Sequence, residues 1–235
     1  MTGDAGLTLF VYQGCVFTVA EGAQPPKAGS LLFCRHLAFR PGLRVLEIGT
    51  GIGLAAVLAA RAGGRVVATD VVPAAVACAR RNATLNGVEA AMEVRLGDGY
   101  APVAGLTFDL VCTSPPQMPT PPGRERDDAL AAADNGGPDG WALLDRVIAG
   151  APAHLGPGGR LVFTLFAFLG LQAALAKLER AGLVPAVLGS ETQPFPRLGY
   201  ERLDHIRALD VERALPPSGM PATVERHVVE GRKPE

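Results

Sequence analysis

The chain is poor in the features that would tie it to a charged or greasy partner. Its 235 residues include one tryptophan, three tyrosines and only three lysines. The 22 basic and 23 acidic residues leave a net charge of −1, so no strong positive field draws it to nucleic acid. No basic segment followed by an apolar run opens the chain, so no secretory signal is expected. The longest apolar stretch, Leu161–Ala176, is shorter than a membrane span and is broken by Gly170 and Gln172. Cys15, Cys34, Cys78 and Cys112 lie far apart, with no C-x-x-C pair. They read as reduced core thiols of a cytoplasmic protein with no membrane partner. His36, His154, His205 and His227 are isolated, so no metal site is expected. There are no internal repeats and no low-complexity tract.

What is present is core material. A 48% hydrophobic content can build one full α/β domain with room for a short extension. Leu7–Val19 alternates enough for a strand or hairpin, turn chemistry surrounds Pro25 and Pro26, and Leu31–Phe39 fits a short helix. A regular alternation comes next, with strands predicted at 44–48, 65–69, 91–96, 108–113, 160–166 and 183–188. Helices are predicted at 54–62, 73–86, 140–149 and 171–181. Pro73 in the first turn and Gly87 just past the end delimit the second of these helices. Short Val- and Leu-rich strands alternating with helices predict a doubly wound, mostly parallel sheet covered on both faces. Residues 227–233 fit a seventh strand. The expected organisation is an N-terminal extension (1–42) capping the acceptor side, a core (43–188), and a lid-like insertion with the last strand (189–235).

The centre of the chemistry is a strand ending in Glu47, then Gly49-Thr50-Gly51-Ile52-Gly53, then an Ala/Leu-rich helix. A glycine turn entering a helix exposes backbone N–H groups beside a positive helix end, a ready site for an anion. It also lets a ligand lie against bare backbone. Asp70, at the tip of the next strand, can accept both hydroxyls of a ribose. Asp98, in Leu96-Gly97-Asp98-Gly99-Tyr100, can accept from an exocyclic adenine amine, with the glycines leaving room for the base. The dinucleotide pattern G-x-G-x-x-G is not met, because the third glycine comes one position early.

The pattern E-x-G-x-G-x-G, with acids at 70 and 98, resembles motif I and its partners in class I S-adenosylmethionine-dependent methyltransferases. The helix segment Ala79-Arg80-Arg81-Asn82-Ala83-Thr84-Leu85-Asn86-Gly87 resembles that family too. The resemblance implies a Rossmann-like fold. It also implies S-adenosyl-L-methionine held by Glu47, Gly49, Thr50, Gly51, Gly53, Asp70, Val71, Asp98, Gly99 and Ser114. Glu47 either supports the turn or meets the amino-acid end of the cofactor.

The fourth core strand runs into Ser114-Pro115-Pro116-Gln117. Consecutive prolines make a rigid loop without N–H donors, whose carbonyls can only accept. The segment resembles the N-P-P-Y motif of amino-methyltransferases. Asp134–Trp141 resembles the stretch just after that motif in the HemK/PrmC group. The resemblance covers about residues 40–185. Ser114 replaces the motif's Asn and Gln117 its Tyr, so a shorter acceptor and a non-stacking side chain stand there.

Ser114, Pro115, Pro116 and Gln117 are therefore the expected acceptor-site residues. Tyr12, Phe17 and Trp141 fit either a pocket wall or the core. Arg124, Glu125 and Arg126 fit a substrate-facing or a solvated loop. His205 fits a general base or a surface histidine. The expected activity is N-methylation of a small molecule, amino acid or peptide. The alternatives are protein-glutamine N5-methylation of a release factor or ribosomal protein, and a non-catalytic cofactor-binding partner. A dimer would be compatible with exposed strand edges.

Overall fold

The computed structural model describes residues 8–19, 24–125, 127 and 131–235. A hairpin of β1 (Thr8–Tyr12) and β2 (Cys15–Val19) comes first, then α1 (Ala28–His36). The core continues as β3 (Arg44–Ile48), α2 (Leu54–Arg61), β4 (Arg65–Asp70), α3 (Pro73–Leu85), β5 (Met92–Leu96) and β6 (Phe108–Thr113). Next come α4 (Ala131–Asp134), α5 (Ala142–His154), β7 (Leu155–Phe166), α6 (Leu171–Arg180) and β8 (Val184–Pro194). Two short helices, α7 (Arg197–Glu201) and α8 (Leu203–Leu209), lead to β9 (Thr223–Arg232).

The seven strands β3–β9 form one sheet in the order β5-β4-β3-β6-β7-β9-β8. The first five pair in parallel, and β9 runs antiparallel to both β7 and β8. This is the doubly wound fold expected from the alternation. Strand periodicity sends successive side chains to opposite faces. Val45, Leu110, Cys112, Val162 and Val228 join the layer under α1, α2 and α3. Leu46, Val111, Leu161, Phe163 and Val229 join the layer under α5, α6 and α8. All four cysteines are buried and free. Among the described residues, no helix is long and apolar enough to cross a membrane.

Several boundaries differ from the sequence expectation, among them α1, at Ala28–His36 rather than 31–39, and β9, which starts at Thr223 rather than His227. Helix α5 continues past Ala149 through Gly150 to His154. Gly150 is where the Tyr100 ring rests: a Cβ there would sit 2.6 Å from its Cε2. Strand β7 begins at Leu155 rather than Arg160, with a register irregularity between Phe108 and Leu110 on its neighbour. Strand β8 does not stop at Leu188. Its polar second half, Gly189–Pro194, pairs with the first half of β9, so the helical connection shortens to 195–222.

The hairpin turns at Gln13-Gly14, both with positive φ (48° and 73°), as a two-residue hairpin turn requires. It docks on α3 through two asparagines. Asn86 accepts from Val16 N (2.9 Å) and donates to Val16 O (2.7 Å). Asn82 accepts from Thr18 N (2.8 Å) and donates to both Thr18 O (3.0 Å) and Ile52 O (2.8 Å). The side chains of α3 thus complete the backbone bonds of β2 and hold the glycine turn.

Candidate active site

A cavity of about 1150 Å³ crosses the C-terminal ends of the parallel strands. That is where open α/β sheets bind ligands. Its floor is the turn from β3 into α2. Gly49, Gly51 and Gly53 have φ of 71°, 56° and 83°, values other residues rarely adopt. The backbone N–H groups of Gly49 and Thr50 donate to Thr69 O (2.9 and 3.0 Å), tying the turn to β4. Nothing lies within 4 Å of a Cβ built on Gly49 or Gly51, so that stretch presents open backbone. Gly53 differs: its Cβ would stand 3.2 Å from the Ala79 Cβ on α3. It lies outside the cavity lining and lets α2 and α3 close together.

Glu47 is 5% exposed and props the turn from below. One of its oxygens accepts from Thr50 Oγ1 (2.6 Å) and Ala56 N (3.0 Å). Burial pushes its pKa up to about 7, against the lowering effect of these two donors. Asp70 is fixed by the backbone: its Oδ2 accepts from Gly51 N (2.9 Å) and its Oδ1 from Val72 N (2.9 Å). Burial raises its pKa too, opposed by those N–H groups. Each oxygen keeps further acceptor capacity. Val71 is half exposed at the rim. Asp98 lines the wall beside Gly99 and is paired with Arg146 on α5 (2.6 and 3.0 Å). The Arg146 hydrogen bonds hold its carboxyl below the ordinary range.

Beyond this half, the tip of β6 contributes Ser114, Pro115 and Pro116. Ser114 Oγ lies 3.1 Å from Thr164 Oγ1 on β7. Gln117 turns the other way. It is 2% exposed and is absent from the cavity lining. Its Oε1 accepts from Phe166 N (3.0 Å) and its Nε2 donates to Thr164 O. The sequence pattern assigns Gln117 a direct part in the acceptor pocket; instead it bolts the proline loop to β7. The segment after α4 covers this loop, with Gly136 N donating to Met118 O (3.0 Å) and Thr120 N to Gly137 O (2.8 Å). A Cβ on Gly136 would approach Gln117 C to 2.8 Å, so this close approach requires glycine.

The structure gathers Glu47, Gly49, Thr50, Gly51, Asp70, Val71, Asp98, Gly99, Ser114, Pro115 and Pro116 around one space. Residues 24–34 close it from the N-terminal side, while the β1–β2 hairpin sits away on α3. Phe17 and Trp141 are core residues, and Tyr12 stacks on Phe10. His205 does not line the cavity; its Nε2 donates to Pro138 O (2.6 Å) outside it. Arg124 reaches Glu201 O (3.3 Å), Glu125 is exposed, and Arg126 lies outside the described residues. Sequence reasoning missed Arg146 and Arg226. Both sit on distant elements, and only the assembled fold brings them to the cavity wall. Among the described residues, no cluster of His, Cys, Asp and Glu could hold a metal ion.

The methyltransferase small domain family matches residues 13–125. A release factor glutamine methyltransferase of Cereibacter sphaeroides is 39% identical over 182 residues, 74% of this chain and 64% of that protein. A Methanocaldococcus jannaschii protein named for N5-glutamine methylation of proteins is 32% identical over 174 residues, 74% of this chain and 87% of that one. The chain thus spans less than two thirds of the first of these relatives and most of the second. Among solved structures, the E. cuniculi Mtq2–Trm112 complex, responsible for methylation of the termination factor eRF1, superposes with a TM-score of 0.57. It is 17% identical and covers 90% of this chain and 99% of its counterpart, a likeness of fold.

Proposed function

The chain belongs to the HemK-like group of class I S-adenosylmethionine-dependent methyltransferases, and on that footing we propose that it methylates a nitrogen on a protein or peptide, the side-chain amide of glutamine. The observation that carries this reading is the continuity of one cavity. It runs from the open glycine turn and Asp70 to the Ser-Pro-Pro tip of β6. The relatives named for glutamine methylation support the choice of acceptor.

The residues fit the cofactor. The Cβ-free surface of Gly49 and Gly51 leaves room for a ligand against the backbone, and Asp70 stands at the ribose position with acceptor capacity to spare. When bound, S-adenosylmethionine supplies an electrophilic methyl on sulfur. The protein's own part is positioning. Ser114 Oγ and the carbonyls of the proline loop accept the N–H groups of the acceptor and aim its lone pair. Gln117 and Thr164 keep that loop stiff. Residues 24–34 and α7 close over the reacting groups and exclude water. Fixing two reactants in line in this way supplies roughly 7–11 kcal/mol of barrier reduction.

A second reading, transfer to a small-molecule or amino-acid nitrogen, is favoured by Ser114, whose side chain is shorter than the amide the motif usually carries. One experiment separates the readings. The protein is incubated with methyl-labelled S-adenosylmethionine and, separately, an intact release factor, ribosomal protein uL3, free glutamine and a panel of amines. Label on a glutamine of either protein supports the proposal. Label on small molecules alone replaces it with the second reading. Tight cofactor binding by calorimetry with no labelled acceptor would favour a non-catalytic partner.

A further inference from the structure

Arg226 stands at the far end of the cavity, and among the described residues nothing neutralises it. It is the cross-strand partner of Phe166, two residues along β7 from Thr164. Its guanidinium lies over the Phe166 ring, with Cζ 3.8 Å from the centroid. The Nη1 end of the guanidinium packs against Gly29 of α1, where there is no Cβ. A Cβ at Gly29 would stand 1.7 Å from Nη1 and 2.7 Å from Cζ. The guanidinium thus lies over an aromatic ring with its Nη1 end in space that a side chain at position 29 would take, so any larger residue there would push it aside.

This seat leaves the charge unanswered. Among the described residues, Arg226 Nε is sealed from solvent without a hydrogen-bond partner, and the guanidinium forms no ion pair. Its nearest acidic neighbour by register is Glu191 on β8, and the Glu191 carboxylate is taken by Arg35 of α1. Burial without a partner lowers the Arg226 pKa to about 10, so the group stays charged at neutral pH. A half-buried cation with no counter-charge is stabilised when an anion joins it. The outlet is the cavity, since Arg226 lines it together with Phe166 and Ser114.

We propose that Arg226 binds a carboxylate of the methyl acceptor, so that this chain takes acceptors carrying an acidic group close to the methylated nitrogen. The inference rests on the acceptor reading above and deepens it. Arginine grips carboxylates with paired, charge-assisted hydrogen bonds, and the Phe166 ring restrains the guanidinium that forms them. In a peptide, that carboxylate comes from an acidic side chain beside the acceptor or from a free C-terminus.

The test compares three glutamine peptides: one with an adjacent glutamate, one ending in a free carboxylate, and a neutral amidated control. Wild-type protein is expected to prefer one of the acidic peptides by about tenfold or more in kcat/KM, mainly through KM. Whichever acidic peptide is preferred identifies the source of the carboxylate. In Arg226→Gln the preference should collapse towards parity, and Arg226→Lys should restore part of it. Gly29→Ala, which leaves the charge in place but dislodges the guanidinium, should also erase it.

A second readout does not need turnover. In protein loaded with S-adenosylhomocysteine, the Arg226 Nε–H resonance, identified by its loss in Arg226→Lys, should shift on titration with acetate and not with acetamide. If no glutamine peptide is methylated but acetate shifts the resonance, the acceptor reading fails and the anion site stands. Equal kcat/KM for all three peptides with no acetate shift overturns the inference. So does a loss of S-adenosylhomocysteine affinity in Arg226→Gln as large as the loss on the acidic peptide, because the arginine would then be holding the cofactor's own carboxylate.

Discussion

The Gln117 side chain accepts the backbone N–H of Phe166 at 3.0 Å, joining the loop after β6 to the last residue of β7. The same amide donates to Thr164 O, so one side chain brackets two positions of the neighbouring strand. Neither group has water to turn to, since Gln117 is 2% exposed. Gln117→Ala would leave the Phe166 N–H and the Thr164 carbonyl without these partners. The expected cost is about 2–4 kcal/mol of stability, seen as a lower urea midpoint at constant slope. Methyl-transfer kcat should fall further than cofactor affinity, because the loosened loop is the one that aims the acceptor. An unchanged midpoint would refute the bracing role.

Glu47 gives stability a pH dependence of definite sign. Its pKa rises from an ordinary 4.5 to about 7 in the folded chain, with burial as the main cause. The folded state therefore holds this proton more tightly than the unfolded state. The associated stability is complete below about pH 4.5 and is lost as pH climbs through about 7. Over that window the loss approaches about 3 kcal/mol at most. Glu47→Gln keeps an acceptor for Thr50 Oγ1 and Ala56 N but cannot ionise. The difference in Tm between wild type and this variant, without cofactor, should widen from pH 5 to pH 8. His227, whose pKa burial lowers, acts in the opposite sense in both proteins, so it cancels from the difference.

Asp70 serves the protein before any ligand arrives. Asp70→Ala releases Gly51 N and Val72 N, and the turn loses one of its ties to the end of β4. A stability loss of about 1–3 kcal/mol is expected from the unfolding transition. Calorimetric affinity for S-adenosylhomocysteine should fall by roughly 30-fold or more, since a charged acceptor is lost and the floor loosens. Full retention of affinity would remove the ribose assignment.

Gly53→Ala tests helix packing and backbone strain together, away from the cavity. The new methyl meets Ala79 Cβ at 3.2 Å on a backbone with φ of 83°, so α2 and α3 must shift. A loss of about 1–3 kcal/mol is expected from thermal unfolding. An unaffected Tm would mean that the two helices yield without cost.

The elements readable in the sequence are those whose signal is local. β3 and β6 end where the pattern places them, because alternating apolar residues feed both core layers and a turn residue comes after each. The glycine turn is readable because spacing alone marks it. The second half of β8 is not: Ser190-Glu191-Thr192-Gln193 is polar, and it becomes strand only because β9 returns beside it. Gln117 misleads for a related reason. Two prolines fix the backbone before it, but which way the next side chain points depends on β7, nearly fifty residues later. Arg226 gives no signal because its seat needs a glycine from α1, almost two hundred residues earlier.

The asparagine bridge on α3 has a bearing on how the molecule is put together. The Asn82 amide is satisfied only when Thr18, Ile52 and α3 meet, three stretches remote in the chain. The N-terminal ribbon's seat is therefore built by the nucleotide-side half, and removing the ribbon strips Asn82 of its bonds to Thr18 N and Thr18 O. It behaves as a keystone, so trimming the protein from that end would weaken a floor that the ribbon itself never lines.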